Sequence, residues 1–216
     1  MTNISKLVNA RKIVDFIENE DSFILISNKS CYYSHHIGAV IVDSVLQAGL
    51  NYKTVVAPRV NNLVFNFPNE VSLSNFIRLI EENKLEAIIR WNHPQKLERI
   101  WSVIDFCNKH QIETSEELLN FLLKPQNKSK FLSIKGIGFK TYDYILNLLN
   151  ADVVAVDRHV FKFVENLGLP SNNYENVKTM IEYAADLMNI PRNVIDYSIW
   201  TYMSTNAAVQ YRLGIA

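Results

Sequence analysis

Apolar side chains recur at the three-to-four-residue interval of an α-helix along almost the whole of this chain, and that period governs what it can fold into. In "ISKLVNARKIVDFIE" it sets Ile4, Leu7, Val8, Val14 and Ile17 on one half of a helical wheel, with Ile13 and Phe16 widening the stripe. "HIGAVIVDSVLQAGL" is apolar nearly all round and predicts a buried helix ending near Gly49. "SLSNFIRLIEEN" opens on a serine cap signal and continues with Phe76, Ile77 and Ile80. "HPQKLERIWSVIDFCNKH" carries a proline near its start and a stripe of Leu97, Ile100, Trp101 and Ile104. "TSEELLNFLLK" has Thr114 followed three residues later by Glu117, the pattern of a capping box. "YENVKTMIEYAADLMNI" and "PRNVIDYSIWTYMS" follow, the latter with Pro191 as its first helical residue. "DSFILISN" (21–28) is the best strand candidate, and "ADVVAVD" is an apolar run that suits a strand or an extended connector. No internal repeat and no low-complexity linker interrupts the pattern. The expectation is an all-α protein of roughly ten helices joined by short loops.

Composition bounds the rest. With 216 residues, 22 basic against 22 acidic side chains and 48% hydrophobic residues, the chain suits one large or two small soluble domains. It is not a disordered tail. Zero net charge argues against coating nucleic acid by bulk electrostatics and leaves room for a local basic patch. Two cysteines, Cys31 and Cys107, cannot alone ligate an iron–sulfur cluster or a closed zinc site, and their scarcity fits a reducing, intracellular compartment. His35, His36, His93 and His110 show no metal-ligand spacing, so no metal site is read. The amphipathic opening is not a secretory signal, and no apolar run approaches the roughly 20 residues that cross a bilayer. The expected location is the cytoplasm, nucleoid-associated, or another intracellular space.

Two of only six glycines flank a single isoleucine in "FLSIKGIGFKTYDYIL", residues 131–146. "LSIKGIG" ends one short helix, and "FKTYDYILNLLN" begins another with Tyr142, Ile145, Leu146 and Leu149 as its stripe. Gly136 and Gly138 allow positive φ and close approach of another backbone. The open N–H groups and positive dipole end of a helix start can grip a phosphate without any side chain. A tight helix–helix connection would use the same residues. Residues 120–165 hold seven Lys/Arg against four acids, whereas residues 70–119 hold six against nine, so the basic excess coincides with the glycine turn. Lys140 stands where the second helix starts, and Asp157, seventeen positions later, opens the next. Alone, Lys140 reads as a surface lysine and Asp157 as an N-cap. Together at helix starts they can also share a cleft.

"LSIKGIGFKTYDYIL…AVDRHVFKFVENLGL" resembles the signature of the helix-hairpin-helix DNA glycosylases, the superfamily of endonuclease III and the 8-oxoguanine glycosylases. Gly136, Ile137, Gly138, Lys140, Thr141, Val156, Asp157, His159 and Val160 fill its pattern, with Ile134 in place of the leading leucine. The likeness extends loosely over residues 36–203. No four-cysteine ending follows the last helix and Arg158 replaces a usual threonine, so the wording is nearer the cluster-free archaeal-type 8-oxoguanine glycosylases. Those typically finish with a lysine soon after this helix, whereas this chain runs on to "NAAVQYRLGIA".

The resemblance implies two helical subdomains with a central cleft. Residues 33–156 would form a helical-barrel subdomain with the helix-hairpin-helix at 127–150, and residues 1–32 plus 157–216 the second. It implies a bifunctional DNA N-glycosylase and AP lyase of base-excision repair, acting as a monomer on double-stranded DNA that contains a damaged base. No cofactor and no membrane enter. Lys140 would be the nucleophile, forming a Schiff base with the sugar, and Asp157 would stabilise the positive charge on the sugar or help remove a proton. Gly136, Gly138, Lys135 and Thr141 would hold a DNA phosphate. Arg90, Trp91 and Asn92 would fill the gap left by a flipped base, and Trp200 would line the base pocket. For Trp91 and Trp200 a core position is the competing reading, and His159 would orient the Asp157 turn. The implied substrate is 8-oxoguanine. An endonuclease III-like enzyme for oxidised pyrimidines and a non-catalytic helix-hairpin-helix DNA-binding protein are the alternatives.

Overall fold

The computed structural model describes residues 1–27 and 30–212, with side chains described to Thr205. The described residues contain twelve α-helices and no strand. The chain divides into two compact units, Ser30–Ala151 and Met1–Lys29 together with Asp152–Ala216.

The first unit is built round helix α2 (Ile37–Leu46), in which every residue is buried. A helix apolar on all sides has no face for water and must be wrapped by others. The wrapping helices are α3 (Ala57–Asn66), α4 (Leu73–Asn83), α6 (Pro94–Lys109) and α9 (Phe139–Leu148), all packed against α2. A π-helical turn (Tyr52–Val56) leads into α3, and the short α5 (Leu85–Ile88) follows α4. Helix α7 (Ser115–Leu122) and helix α8 (Pro125–Leu132) complete the unit. Local signals set the starts: Ser72 caps α4, Thr114 and Glu117 form the capping box of α7, and Pro94 stands at the start of α6. Trp101, expected on the apolar stripe of α6, lies on its exposed side, while Ile100, Val103, Ile104 and Cys107 are buried. Gly38 lets α4 approach: a Cβ there would lie 2.6 Å from the fully buried Phe76 ring.

In the second unit α1 (Asn3–Asn19) packs along α11 (Tyr174–Leu187), and α10 (Arg158–Asn166) packs on α12 (Arg192–Arg212). Phe16, Phe23, Phe163 and Tyr202 meet edge-on or tilted at ring separations of 5.1–6.5 Å. The stripe expected on α1 is corrected at its start. Ala10, Ile13, Val14 and Ile17 are buried, whereas Ile4 is 77% exposed and Leu7 and Val8 are exposed with it. The helix begins two turns before the core does. The expected strand at 21–28 is also corrected, over its described residues 21–27. Phe23 enters the core, Ile24 and Leu25 face outward, and the Ile26 amide donates to Ser198 Oγ at 2.9 Å. "ADVVAVD" is an extended connector, its Ala155 amide donating to Asp196 Oδ2 at 3.0 Å.

The glycine turn lies between α8 and α9, and its two glycines do different things. Gly136 has φ +84° and the space beside its Cα is filled by Arg99, whose Nε and Nη2 would lie 2.3 Å from a Cβ. Gly138 has extended backbone, and a Cβ there would meet nothing within 4 Å. Gly136→Ala should therefore destabilise the chain by about 1–3 kcal/mol through left-handed strain and the Arg99 clash. Gly38→Ala should lower stability by a similar amount through overpacking. Gly138→Ala should stay within about 0.5 kcal/mol of the native chain. Urea melts of the three variants check the ranking, and equal losses at Gly136 and Gly138 would contradict it.

Candidate active site

Between α8 and α9 the chain turns at residues 133–138, held by Ile137 N–H donating to Ile134 O at 3.0 Å. Ile137 is buried, while Lys135, Gly136, Gly138 and Phe139 are exposed around it. The isoleucine anchors the turn and leaves the glycine backbone facing out. Gly138 supplies no side-chain cap to α9, so the first-turn amides lack the partner that a serine or aspartate would give. Lys128 adds positive charge, its Nζ lying 5.3 Å from the Phe139 ring centre and 5.4 Å from that of Tyr142. Thr141, expected at the phosphate, is buried on α9.

Lys140 is the second residue of α9 and is half-buried. Its Nζ donates to Gln47 Oε1 at 2.6 Å and stands 5.9 Å from the centre of the Tyr144 ring. Beside it lies a group of residues that the sequence reading missed. Asp43 is fully buried in the middle of α2, and three tyrosine hydroxyls donate to it: Tyr33 and Tyr52 to Oδ2, Tyr144 to Oδ1 at 3.0 Å. Burial raises the Asp43 carboxyl from 3.8 to about 6, against the opposing pull of the three hydroxyls and the Lys140 charge. Lys96 donates to Val45 O at 2.6 Å and Ala48 O at 2.7 Å, closing the end of α2. Burial, then Arg99 and Lys140, hold the Lys96 ammonium down at about 8. The signal that marks Asp43 is its isolation, the one charge in "GAVIVDSVL".

The candidate wedge residues follow α5 in the same unit. Arg90 is exposed with φ +51°, and Asn92 is exposed. Trp91 is half-buried beneath the Arg59 guanidinium, 4.5 Å from the ring centre, and its enclosed indole N–H makes no hydrogen bond.

In the other unit, Asp157 caps α10, its Oδ1 accepting from the amides of His159 at 2.7 Å and Val160 at 3.1 Å. His159 meets Trp200 edge-on at 6.3 Å, and Trp200 stacks on the exposed Tyr197 at 5.9 Å and 17°. Trp200 is therefore a half-buried member of an aromatic row beside the Asp157 cap, and Tyr197 is a member the sequence reading did not include. Among the described residues no group of His, Cys, Asp and Glu is placed to hold a metal ion.

The raised Asp43 carboxyl has a thermodynamic consequence. The folded chain binds the Asp43 proton more tightly than the unfolded one, so stability tied to the neutral form is complete below pH 3.8 and lost as pH rises through about 6. The interval corresponds to about 3 kcal/mol. The stability of the native chain minus that of Asp43→Asn should fall by about 2–3 kcal/mol between pH 4 and pH 7 and stay level above. Urea melts across that range measure it, and a pH-independent difference would contradict it.

Three comparisons place this geometry. The family model described as "Domain of unknown function (DUF8548)" matches residues 12–204. The 8-oxoguanine DNA glycosylase/AP lyase of Sulfolobus acidocaldarius is 29% identical over 83 residues, 36% of this chain and 40% of that protein. This chain thus matches less than half the length of that curated relative. The H. pylori 3-methyladenine DNA glycosylase MagIII, bound to 1,N6-ethenoadenine, has a similar fold, with TM-score 0.61 and 18% identity over 97% of this chain and 99% of that one. The Methanocaldococcus jannaschii 8-oxoguanine glycosylase/lyase, in complex with a 15mer DNA containing 8-oxoguanine, gives TM-score 0.51 and 20% identity over 95% and 98%. The all-helical architecture and the likeness to helix-hairpin-helix DNA glycosylases, expected from the sequence, hold at the level of fold. The chain belongs to the DUF8548 family and is built on the fold of the helical DNA glycosylases.

Proposed function

We propose that this protein is a base-excision DNA glycosylase with AP-lyase activity, acting on double-stranded DNA that contains an oxidised base, with 8-oxoguanine favoured. The observation that carries the reading is Lys140, a half-buried amine at the second position of the helix that the Gly136–Gly138 turn opens. The S. acidocaldarius relative, a glycosylase/AP lyase of 8-oxoguanine, supports the choice of lesion and of lyase chemistry.

The chemistry needs a base flipped out of the duplex, because its glycosidic bond is inaccessible in the stack. The exposed amides at the start of α9, with Lys135 and Lys128 nearby, supply the grip on a backbone phosphate. The neutral Lys140 amine donates its lone pair to the sugar C1′, the C1′–N bond breaks, and the base leaves with that electron pair and takes up a proton. The Asp157 carboxylate offsets the positive charge that develops on the sugar. Loss of one proton from the attached nitrogen and opening of the sugar ring, whose oxygen takes up a proton, give an iminium between Nζ and C1′ that keeps the other amine proton. Removal of a C2′ proton then expels the 3′ phosphate oxygen, which breaks the strand. Hydrolysis returns the amine.

The fold likeness to a 3-methyladenine DNA glycosylase favours a second reading, excision of an alkylated purine without strand cleavage. Gel assays on duplexes holding 8-oxoguanine, thymine glycol, 1,N6-ethenoadenine or an abasic site separate the two. The proposal expects strand cleavage at 8-oxoguanine by the native chain, at least about a hundredfold slower in Lys140→Gln. Gly138→Ala, which leaves the fold intact, should weaken duplex binding about tenfold by crowding the phosphate contact. Excision that yields alkali-labile sites but no cleavage would establish the second reading. Thymine glycol as the best substrate would move the assignment to oxidised pyrimidines. Binding without excision of any base would leave a DNA-binding protein.

A further inference from the structure

Helices α2 and α9 present their polar side chains to each other in two rungs. Asp43 within α2 and Gln47, the residue that caps its C-terminal end, are four residues apart, and Lys140 and Tyr144 are four apart on α9, so each pair lies on one helix face. Lys140 Nζ donates to Gln47 Oε1 at 2.6 Å, and the Tyr144 hydroxyl donates to Asp43 Oδ1 at 3.0 Å. The Lys140 ammonium stands 5.9 Å from the Tyr144 ring centre, so the residue of one rung meets that of the other. Tyr33 and Tyr52 fix the remaining carboxylate oxygen.

A carboxylate at the centre of an apolar helix is not needed for packing. Ionised, it opposes folding at neutral pH, and an uncharged side chain of its size would remove that burden. Three hydroxyls nevertheless converge on it, and the amine whose charge reaches it is the one at the start of α9. The same Lys140 charge reaches Lys96, together with that of Arg99. The Lys140 charge therefore couples to the cation Lys96 and to the buried anion Asp43.

We propose that Asp43 is a positioning residue for Lys140, which keeps that amine protonated and docked on Gln47 in the free protein through its negative charge and the Tyr144 rung. The inference rests on the reading of Lys140 as the amine that attacks DNA, and it names what restrains that amine before a lesion arrives. Only the neutral amine attacks, and a neighbouring carboxylate favours the ammonium form. With Asp43 neutral, the like charge of Lys96 still acts on Lys140 and disfavours its ammonium form.

The titratable and charged groups around Asp43 are Cys31, Tyr32 and Tyr33 from the segment before α2, Tyr52 from the π-helical turn, and Lys140 and Tyr144 from α9; Lys96 of α6 feels the Lys140 charge in turn. Burial pushes the Cys31 thiol up to about 11 and pushes the four tyrosines above their ordinary range. Burial and neighbouring charge hold the Lys96 ammonium down at about 8. Between pH 5 and pH 7 the group that changes charge among these is Asp43.

Competitive acetylation of the full chain with trace acetic anhydride tests this without DNA. The Lys140 peptide is quantified by mass spectrometry against exposed Lys12, in native protein, Asp43→Asn and Tyr144→Phe, from pH 5 to pH 7. Lys140 should acetylate about threefold or more faster in Asp43→Asn than in native protein at pH 7. The ratio should approach one at pH 5, where Asp43 is neutral in the native chain as well. Tyr144→Phe should shift the rate in the same direction by less. Equal relative rates in native protein and both variants at pH 7 would overturn the proposal. If Asp43→Asn does not fold, Tyr144→Phe and the native rate profile decide it: a native profile without an inflection near pH 6 overturns it. Failure of the lyase reading shows up separately, as absent strand cleavage by native protein, and leaves the acetylation result intact.

Discussion

The burial of α2 on every side is the constraint on which the Ser30–Ala151 unit depends. A helix with no wet face has to settle each of its polar groups inside the protein. The side chain of His36 caps its start, with Nδ1 accepting from the Ala39 amide at 3.2 Å. Lys96 reaches from α6 to the carbonyls at its end, and the Ser44 hydroxyl turns back to Ile41 O at 2.8 Å. Asp43 is met by three tyrosines drawn from the preceding segment, the π-helical turn and α9. The demand for polar partners around one dry helix thus fixes the neighbours of the end of α2, and Lys140 is among them.

The two glycines of the turn divide structure from access. Gly136 is required by the fold, because its backbone is left-handed and Arg99 fills the place of a side chain. Gly138 is required by neither backbone conformation nor space within the chain. A glycine that the fold does not need, at the exposed start of a helix without a side-chain cap, fits a site where another backbone comes close. In the other unit the Asp157 carboxylate binds the amides of its own helix.

What could be read from the sequence was what adjacent residues decide. The helical class, the caps at Ser72, Thr114 and Asp157, Pro94 at the start of α6 and the buried α2 all follow from spacing within one or two turns. What tertiary contacts decide was misread or missed. Ile4, Leu7 and Val8 carry the right period, but the core starts at Ala10. Phe23 and Ile24 alternate as a strand would, yet the described backbone there finds a serine hydroxyl in place of a neighbouring strand. The Asp43 cage joins Tyr144 to a carboxylate 101 positions away, a distance no local pattern spans. A lone aspartate in an apolar run was its one trace in the sequence.

The measurement that bears most directly on the central claim is the site of covalent capture. Native protein is reduced with borohydride on a duplex holding 8-oxoguanine, digested, and the DNA-linked peptide is identified by mass. The account predicts a single adduct on the Nζ of Lys140. Adduct formation at another amine, Lys96 above all, or a native protein that excises the base and forms no adduct, would contradict it.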